Sequence, residues 1–355
     1  MNGPHSSNRV AVVTGASAGI GRATALAFAR HGWSVGLLAR SQDRLTAAVD
    51  EIHRIGGRAI AVQTDVADAS AVEAAARKIV SAFGRIDVWV NNAMVTVYSP
   101  VAEITPDEVK RVTDVTYLGQ VHGTLAALRQ MREQGEGTIL QVGSTLAYRS
   151  IPLQSAYCAA KAAVRGFTDA LRSELHHDGS PVRLTMVHLP AVDTPQFDWA
   201  RNRLSRRLQP VPPIHDPDPV AEAIVGAAVD APRELWVGTP TIKAILGNLV
   251  MPGILDRLAA DRAWNGQMTD EPARDSPDNL FEPPPGDPGA RGRFRHRSRS
   301  HVLSVSDTAA RGILATAALG ALVGAATLGW WLASKGPRGR DRRLAARERA
   351  ARLVA

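Results

Sequence analysis

Tyr157 and Lys161 stand four residues apart in a stretch, 155–177, whose pattern predicts a helix. That spacing puts both side chains on one helix face. A free phenol has a pKa of about 10 and is a poor base at neutral pH. A neighbouring ammonium favours the phenolate and lowers that value, which suits the pair to general acid–base work. Tyr-x-x-x-Lys alone is also an ordinary amphipathic pair, so context decides. Ser144 lies thirteen residues before Tyr157, just past a strand predicted over Thr138–Val142. A hydroxyl there can hydrogen-bond a carbonyl oxygen and steady an oxyanion developing on it.

A second set of residues points to phosphate. The apolar run Val10–Thr14 passes straight into Gly15-Ala16-Ser17-Ala18-Gly19-Ile20-Gly21, and then into an alanine-rich helix predicted over Ile20–His31. Gly15 permits a tight turn, Gly19 lets the backbone approach a pyrophosphate, and Gly21 permits close helix packing. The helix N-terminus adds free N–H groups and the positive end of a dipole. The strand before and the helix after give the glycines their meaning. The second predicted strand, Ser34–Ala39, ends at Arg40. A site selective for NAD places an acid here for the ribose 2′-hydroxyl. This chain offers Arg40, Ser41 and Arg22 instead. A guanidinium pairs with a 2′-phosphate that an acid would repel. NADP(H) is therefore the expected cofactor. NAD(H) is the weaker alternative, with Arg40 and Arg22 as solvated surface charges.

These groups need a scaffold, and the pattern supplies one. Strands are predicted over Val10–Thr14, Ser34–Ala39, Ala59–Gln63, Ile86–Asn91, Thr138–Val142, Arg183–Leu189 and Glu234–Gly238. Helices are predicted over Ile20–His31, Gln42–Ile55, 69–83, 106–133 and 155–177. Such alternation argues for an α/β, Rossmann-type doubly wound parallel sheet with helices on both faces. Ligands bind at the carboxyl ends of its strands. A stretch from Pro190 to Pro219, rich in proline and arginine, is placed to cover a substrate there.

Taken in order, the Gly15–Gly21 turn, Ser144, Tyr157 and Lys161 resemble the short-chain dehydrogenase/reductase family over roughly residues 8–240. The resemblance implies hydride transfer between a nicotinamide and a carbonyl or alcohol. Tyr157 would be the general acid or base, Lys161 would tune it and hold the nicotinamide ribose, and Ser144 would orient the carbonyl. It also implies cofactor contacts from Ser17, Ile20, Asp65 and Val66 at the adenine, Asn91 with Asn92 and Ala93 along the cofactor, and Thr194 at the carboxamide. Met94 stands where the family usually has Gly, Thr116 where it often has an Asn serving a proton relay behind the lysine, and Ala191 where it has Gly. Met94 and Thr116 motivate a second reading, a cofactor-binding scaffold or redox sensor with little turnover. Met94, Tyr148 and the 190–219 insertion are expected to line an apolar substrate pocket.

Composition bounds the rest. The lone cysteine, Cys158, excludes an internal disulfide and reads as a buried small hydrophobe. His176, His177 and His188 lack metal-ligand spacing. The net charge of +8 belongs to the tail: residues 291–355 hold 14 Lys/Arg against 3 Asp/Glu, whereas residues 1–290 hold 28 against 31. The catalytic domain, expected over 1–265, therefore gives no electrostatic reason to expect nucleic acid. A basic arm at Arg291–His301 is a weaker nucleic-acid possibility. Six prolines between 270 and 290 predict a disordered linker, taken as 266–311. Residues 312–334 carry no charge and predict a transmembrane helix, with a basic tail over 335–355. A membrane-associated protein is expected, contacting lipid through this segment, with its catalytic domain facing the cytoplasm, where NADPH is supplied. Eight Lys/Arg follow the segment in 335–354 against five before it in 292–311, which favours the tail inside and leaves orientation open. A homo-oligomer is also expected.

Overall fold

The computed structural model describes residues 9–334 and Arg349, with some side chains of the last helix outside the described residues. The tail expected over 335–355 falls beyond them apart from Arg349.

The apolar runs become strands because both of their faces are covered. Strands β1 (Val10–Thr14) and β2 (Ser34–Ala39) are buried at every position, as parallel strands between two helical layers must be. Strand β3 (Arg58–Gln63) lies at the edge and has exposed ends. Next come β4 (Val88–Asn91), β5 (Gly137–Ser144), β6 (Val182–Leu189) and β7 (Glu234–Val237). They pair in parallel in the order β3-β2-β1-β4-β5-β6-β7. The winding reverses between β1 and β4, so a crevice opens at their carboxyl ends.

Helices α1 (Gly19–Arg30) and α2 (Gln42–Arg54) cover one face of the sheet. Phe28, Leu45 and Ile52 pack there against Val13 and Leu37. Helix α3 (Ala69–Phe83) covers the other, with Asp68 capping its first turn by accepting from the Ser70 and Ala71 amides. Each fully buried Leu, Ile or Phe contributes about 1.5–3 kcal/mol. The single helix expected over 106–133 is broken into α4 (Pro106–Thr113), a π turn (Asp114–Leu118) and α5 (Gly119–Gln134). Helix α6 (Ser155–His177) lies beside them and carries Tyr157 and Lys161. Helix α7 (Pro217–Asp230) returns to the first face.

The disordered linker expected over 266–311 is instead folded, and the first compact unit runs through Asp307. Strand β8 (Ser304–Ser306) joins β7 antiparallel and extends the main sheet. Leu280 and Phe294 are buried. Met268–Pro272 pairs with Arg206–Leu208, and Ser298–Arg299 with Ile214–His215, so this segment also pins the 190–219 insertion. The prolines and charges mislead as a mark of disorder because most partners of this stretch are groups of the earlier domain. Arg291, for one, pairs with Asp216 and Asp218.

The expected transmembrane helix needs correction too. Residues 312–334 do form a helix, α8 (Asp307–Ser334). No helix among the described residues is long and apolar enough to cross a membrane. The expected lipid contact and membrane-associated location thus find no support in the described residues.

Candidate active site

The glycine turn closes β1 onto α1. Gly15 (φ 68°) and Gly19 (φ 57°) occupy left-handed backbone that other residues rarely adopt. A Cβ on Gly21 would lie 2.3 Å from the Gly15 carbonyl oxygen, so only glycine lets α1 start this close to the turn. Thr14 ties the turn to β4: its hydroxyl accepts from the amides of Asn92 (2.9 Å) and Ala93 (3.0 Å). The turn opens onto a cavity of about 440 Å³. Gly15, Ser17, Gly19, Ile20 and Gly21 line one end of it, with Arg40, Asp65 and Val66. Thr194 lines it beside Gly19, and Ser144, Tyr157 and Lys161 line it as well. The cradle of glycines suits a dinucleotide pyrophosphate, with the first helical amide, that of Gly19, held by the Gly289 carbonyl at 3.1 Å.

At the reacting end, Lys161 is 1% exposed and donates from Nζ to the Val142 carbonyl at 2.7 Å. Burial pulls its pKa down to about 7. Nζ lies 5.7 Å from the centre of the Tyr157 ring. Burial raises the Tyr157 phenol, a hydrogen bond with Ser144 opposes the rise, and Cys158 adds to it. The expectation that Lys161 depresses the phenol is therefore not met in this structure, because desolvation outweighs any help from the lysine. Ser144 Oγ accepts from the Leu146 amide (3.1 Å), and the Ser144 carbonyl meets His188 Nδ1 at 3.1 Å.

A family model described as short chain dehydrogenase matches residues 9–203. The chain belongs to the short-chain dehydrogenase family. An oxidoreductase of Bacillus subtilis named YxnA, itself uncharacterised, is 34% identical over 270 residues, which cover 75% of each chain. Among solved structures of the family, one from Burkholderia phymatum in complex with NAD is 26% identical (TM-score 0.63; 71% of this chain, 95% of that one). An alcohol dehydrogenase from Thermococcus sibiricus, complexed with 5-hydroxy-NADP, is 31% identical (TM-score 0.56; 64% and 95%).

Three residues expected at the site are elsewhere. The Asn91 side chain turns into the core, where Oδ1 accepts from Trp89 Nε1 (2.8 Å) and Nδ2 donates to Thr124 (3.0 Å). Asn92 faces the glycine turn instead, through a 2.8 Å bond from Nδ2 to the Thr14 carbonyl. Arg22 is buried and ion-paired with Glu51 and Asp287, so its fork is not open to a phosphate. Tyr148 points away from the cavity and donates to Glu234 at 2.6 Å. Met94 does line the cavity, as do Val192, Phe197, Trp199 and Val211 of the insertion.

Thr116, in the π turn, exchanges two hydrogen bonds with the Val95 backbone: its hydroxyl donates to the carbonyl (2.8 Å) and accepts from the amide (3.1 Å). It thus fixes the strand segment leading from Met94. Cys158 is buried, and burial pushes its thiol up. Sequence reasoning missed Arg44, Gln267, Asn279 and Pro283, all of which line the cavity. Arg44, four residues past Arg40 and in the first turn of α2, was visible as a second cation near the end of β2. The other three lie beyond residue 265, where no local pattern links them to the cleft.

Proposed function

We propose that this protein is an NADP(H)-dependent oxidoreductase that interconverts a carbonyl and an alcohol on a small, largely apolar substrate. The observation that carries this reading is that Ser144, Tyr157 and Lys161 line the same cavity as the glycine turn. When bound, the nicotinamide supplies or accepts the hydride at the carbonyl carbon. In reduction, Tyr157 gives its phenolic proton to the carbonyl oxygen. Ser144, which lines the cavity with Tyr157, orients that oxygen. Lys161, anchored on the Val142 carbonyl beside the Tyr157 ring, would hold the nicotinamide ribose. In oxidation the proton returns along the same path. Met94, Leu146, Ile151 and Phe197 give the walls their apolar character.

The NADP(H) preference rests on Arg40 and Arg44. Both line the cavity and donate to backbone carbonyls of 279–286, and a 2′-phosphate, being charged, is a stronger acceptor than a carbonyl. Relatives of known structure bind either cofactor, so these two arginines carry the preference. The test follows NADPH and NADH consumption with a panel of apolar ketones, for wild type and Tyr157→Phe. The substitution should cost about 10²–10⁴-fold in rate. Equal rates for the two proteins would remove the mechanism. The Thr116 hydroxyl is spent on Val95, and this supports a second reading as a cofactor-binding sensor. Tight NADPH binding with no turnover of any ketone would favour it.

A further inference from the structure

The segment from Asn279 to Gly289 crosses the adenosine end of the cavity and is tied to α1, α2, α4 and Arg40 at the end of β2. The Gly19 amide, in the first turn of α1, donates to the Gly289 carbonyl at 3.1 Å. Arg40 donates to the carbonyls of Asn279 and Phe281 at 2.5 Å each. Arg44 donates to those of Gly286 (2.6 Å) and Pro284. Arg22 pairs with Asp287, and Arg111 of α4 donates to the Leu280 carbonyl at 3.0 Å. The segment roofs the cavity and does not fill it: Asn279 and Pro283 line the space together with Ile20, Arg40, Asp65 and Val66 beneath.

From this geometry we propose that Asn279–Gly289 is a clamp that closes over the adenosine end of the bound dinucleotide, so that cofactor leaves only when the clamp opens. The inference rests on the dinucleotide site proposed above. Its composition suits the task. Pro283, Pro284, Pro285 and Pro288 stiffen the chain, so little conformational freedom is lost on closing. Leu280 is fully buried and anchors one end. Beyond the other end, the Phe294 amide donates to Asp193 Oδ1 at 3.0 Å. Between these anchors, most ties run from an arginine to a carbonyl oxygen. Such bonds lack an opposing charge and are weaker than ion pairs, so the middle of the segment can lift while its ends stay fixed. A nucleotide phosphate beneath Arg40 and Arg44 adds anionic partners to the same two side chains and draws roof and floor together.

The test uses the full chain in two variants. One replaces residues 282–288 with a Gly/Ser stretch of equal length, keeping Leu280 and Phe294. The other is Asp287→Ala, which removes one ion pair and leaves Arg22 its bond to Glu51. NADPH release is measured by stopped-flow displacement, read from nicotinamide fluorescence, with circular dichroism to check folding. The Gly/Ser chain should release NADPH roughly tenfold faster and bind it more weakly, the factor given by losing one charged hydrogen bond of about 1.4 kcal/mol. Asp287→Ala should fall between it and wild type. Unchanged release in both variants would overturn the clamp and leave the oxidoreductase reading standing. Tighter NADPH binding in either variant would also overturn it, because the segment would then be a competitor for the site. Failure of wild type and both variants to bind NADPH or NADH would overturn the clamp and the proposed function together.

Discussion

Replacing Lys161 by methionine should stabilise the fold while abolishing activity. Lys161 is 1% exposed, and burial lowers its pKa from 10.5 to about 7. An unfolded lysine keeps its proton up to its ordinary value, whereas the folded one releases it near neutrality. The unfolded chain therefore binds more protons between those two values, and stability rises with pH across that window. Below the folded value the full cost of burying the ammonium is present, about 5 kcal/mol at 1.36 kcal/mol per pH unit. Methionine keeps much of the stem and removes the charge, but it leaves the Val142 carbonyl without its 2.7 Å donor, at a cost of about 1–3 kcal/mol. At about pH 7 the variant should thus be more stable than wild type by about 2–4 kcal/mol. Its lead should shrink by about 3 kcal/mol on going to about pH 9.5. Urea denaturation of both proteins without cofactor, followed by tryptophan fluorescence, measures this. A gap that does not change with pH would refute the reasoning, since Lys161 would then titrate as an ordinary lysine.

Three further outcomes follow from the same structure. Gly21→Ala puts a Cβ 2.3 Å from the Gly15 carbonyl oxygen and 2.5 Å from Asn92 Nδ2; it should destabilise the fold by about 1–3 kcal/mol and weaken cofactor binding in a fluorescence titration. Arg40→Ala should raise the KM for NADPH by about 10–100-fold, the value of losing charged hydrogen bonds at about 1.5–3 kcal/mol, and should raise the KM for NADH by a smaller factor, because Arg40 also ties the clamp. Glu234 is 1% exposed, and burial raises its carboxyl, yet hydrogen bonding and charge from His188, then bonds from Trp236 and Tyr148, hold it well below the usual range. That stability is present above the ordinary carboxylate value and is lost as pH falls through the folded one. Glu234→Gln should therefore cost about 3–5 kcal/mol at neutral pH, and the gap in denaturation free energy should close in acid.

The sequence by itself determined the elements and the chemistry that depends on local spacing. Val10–Thr14 and Ser34–Ala39 read as strands because burial on both faces demands unbroken apolar runs. The glycines at 15, 19 and 21 read as a phosphate turn because only their backbone fits it. Tyr157 and Lys161 read as a pair because i and i+4 share a helix face. Only the tertiary structure decided which way side chains point and what distant segments reach. Asn91 sits at the end of a strand, where a one-residue step changes the face, so it turns into the core while Asn92 meets Thr14. Arg22 looked free for a phosphate until Asp287, far along the chain, was brought against it. Desolvation of Tyr157 and Lys161 depends on everything packed around them and leaves no mark in their spacing. The largest surprise lies between 266 and 306. Prolines and charges in that stretch suggest disorder when counted locally. Their partners belong to the Rossmann domain, and once those are in place the same prolines hold a stiff strap across the cofactor cleft.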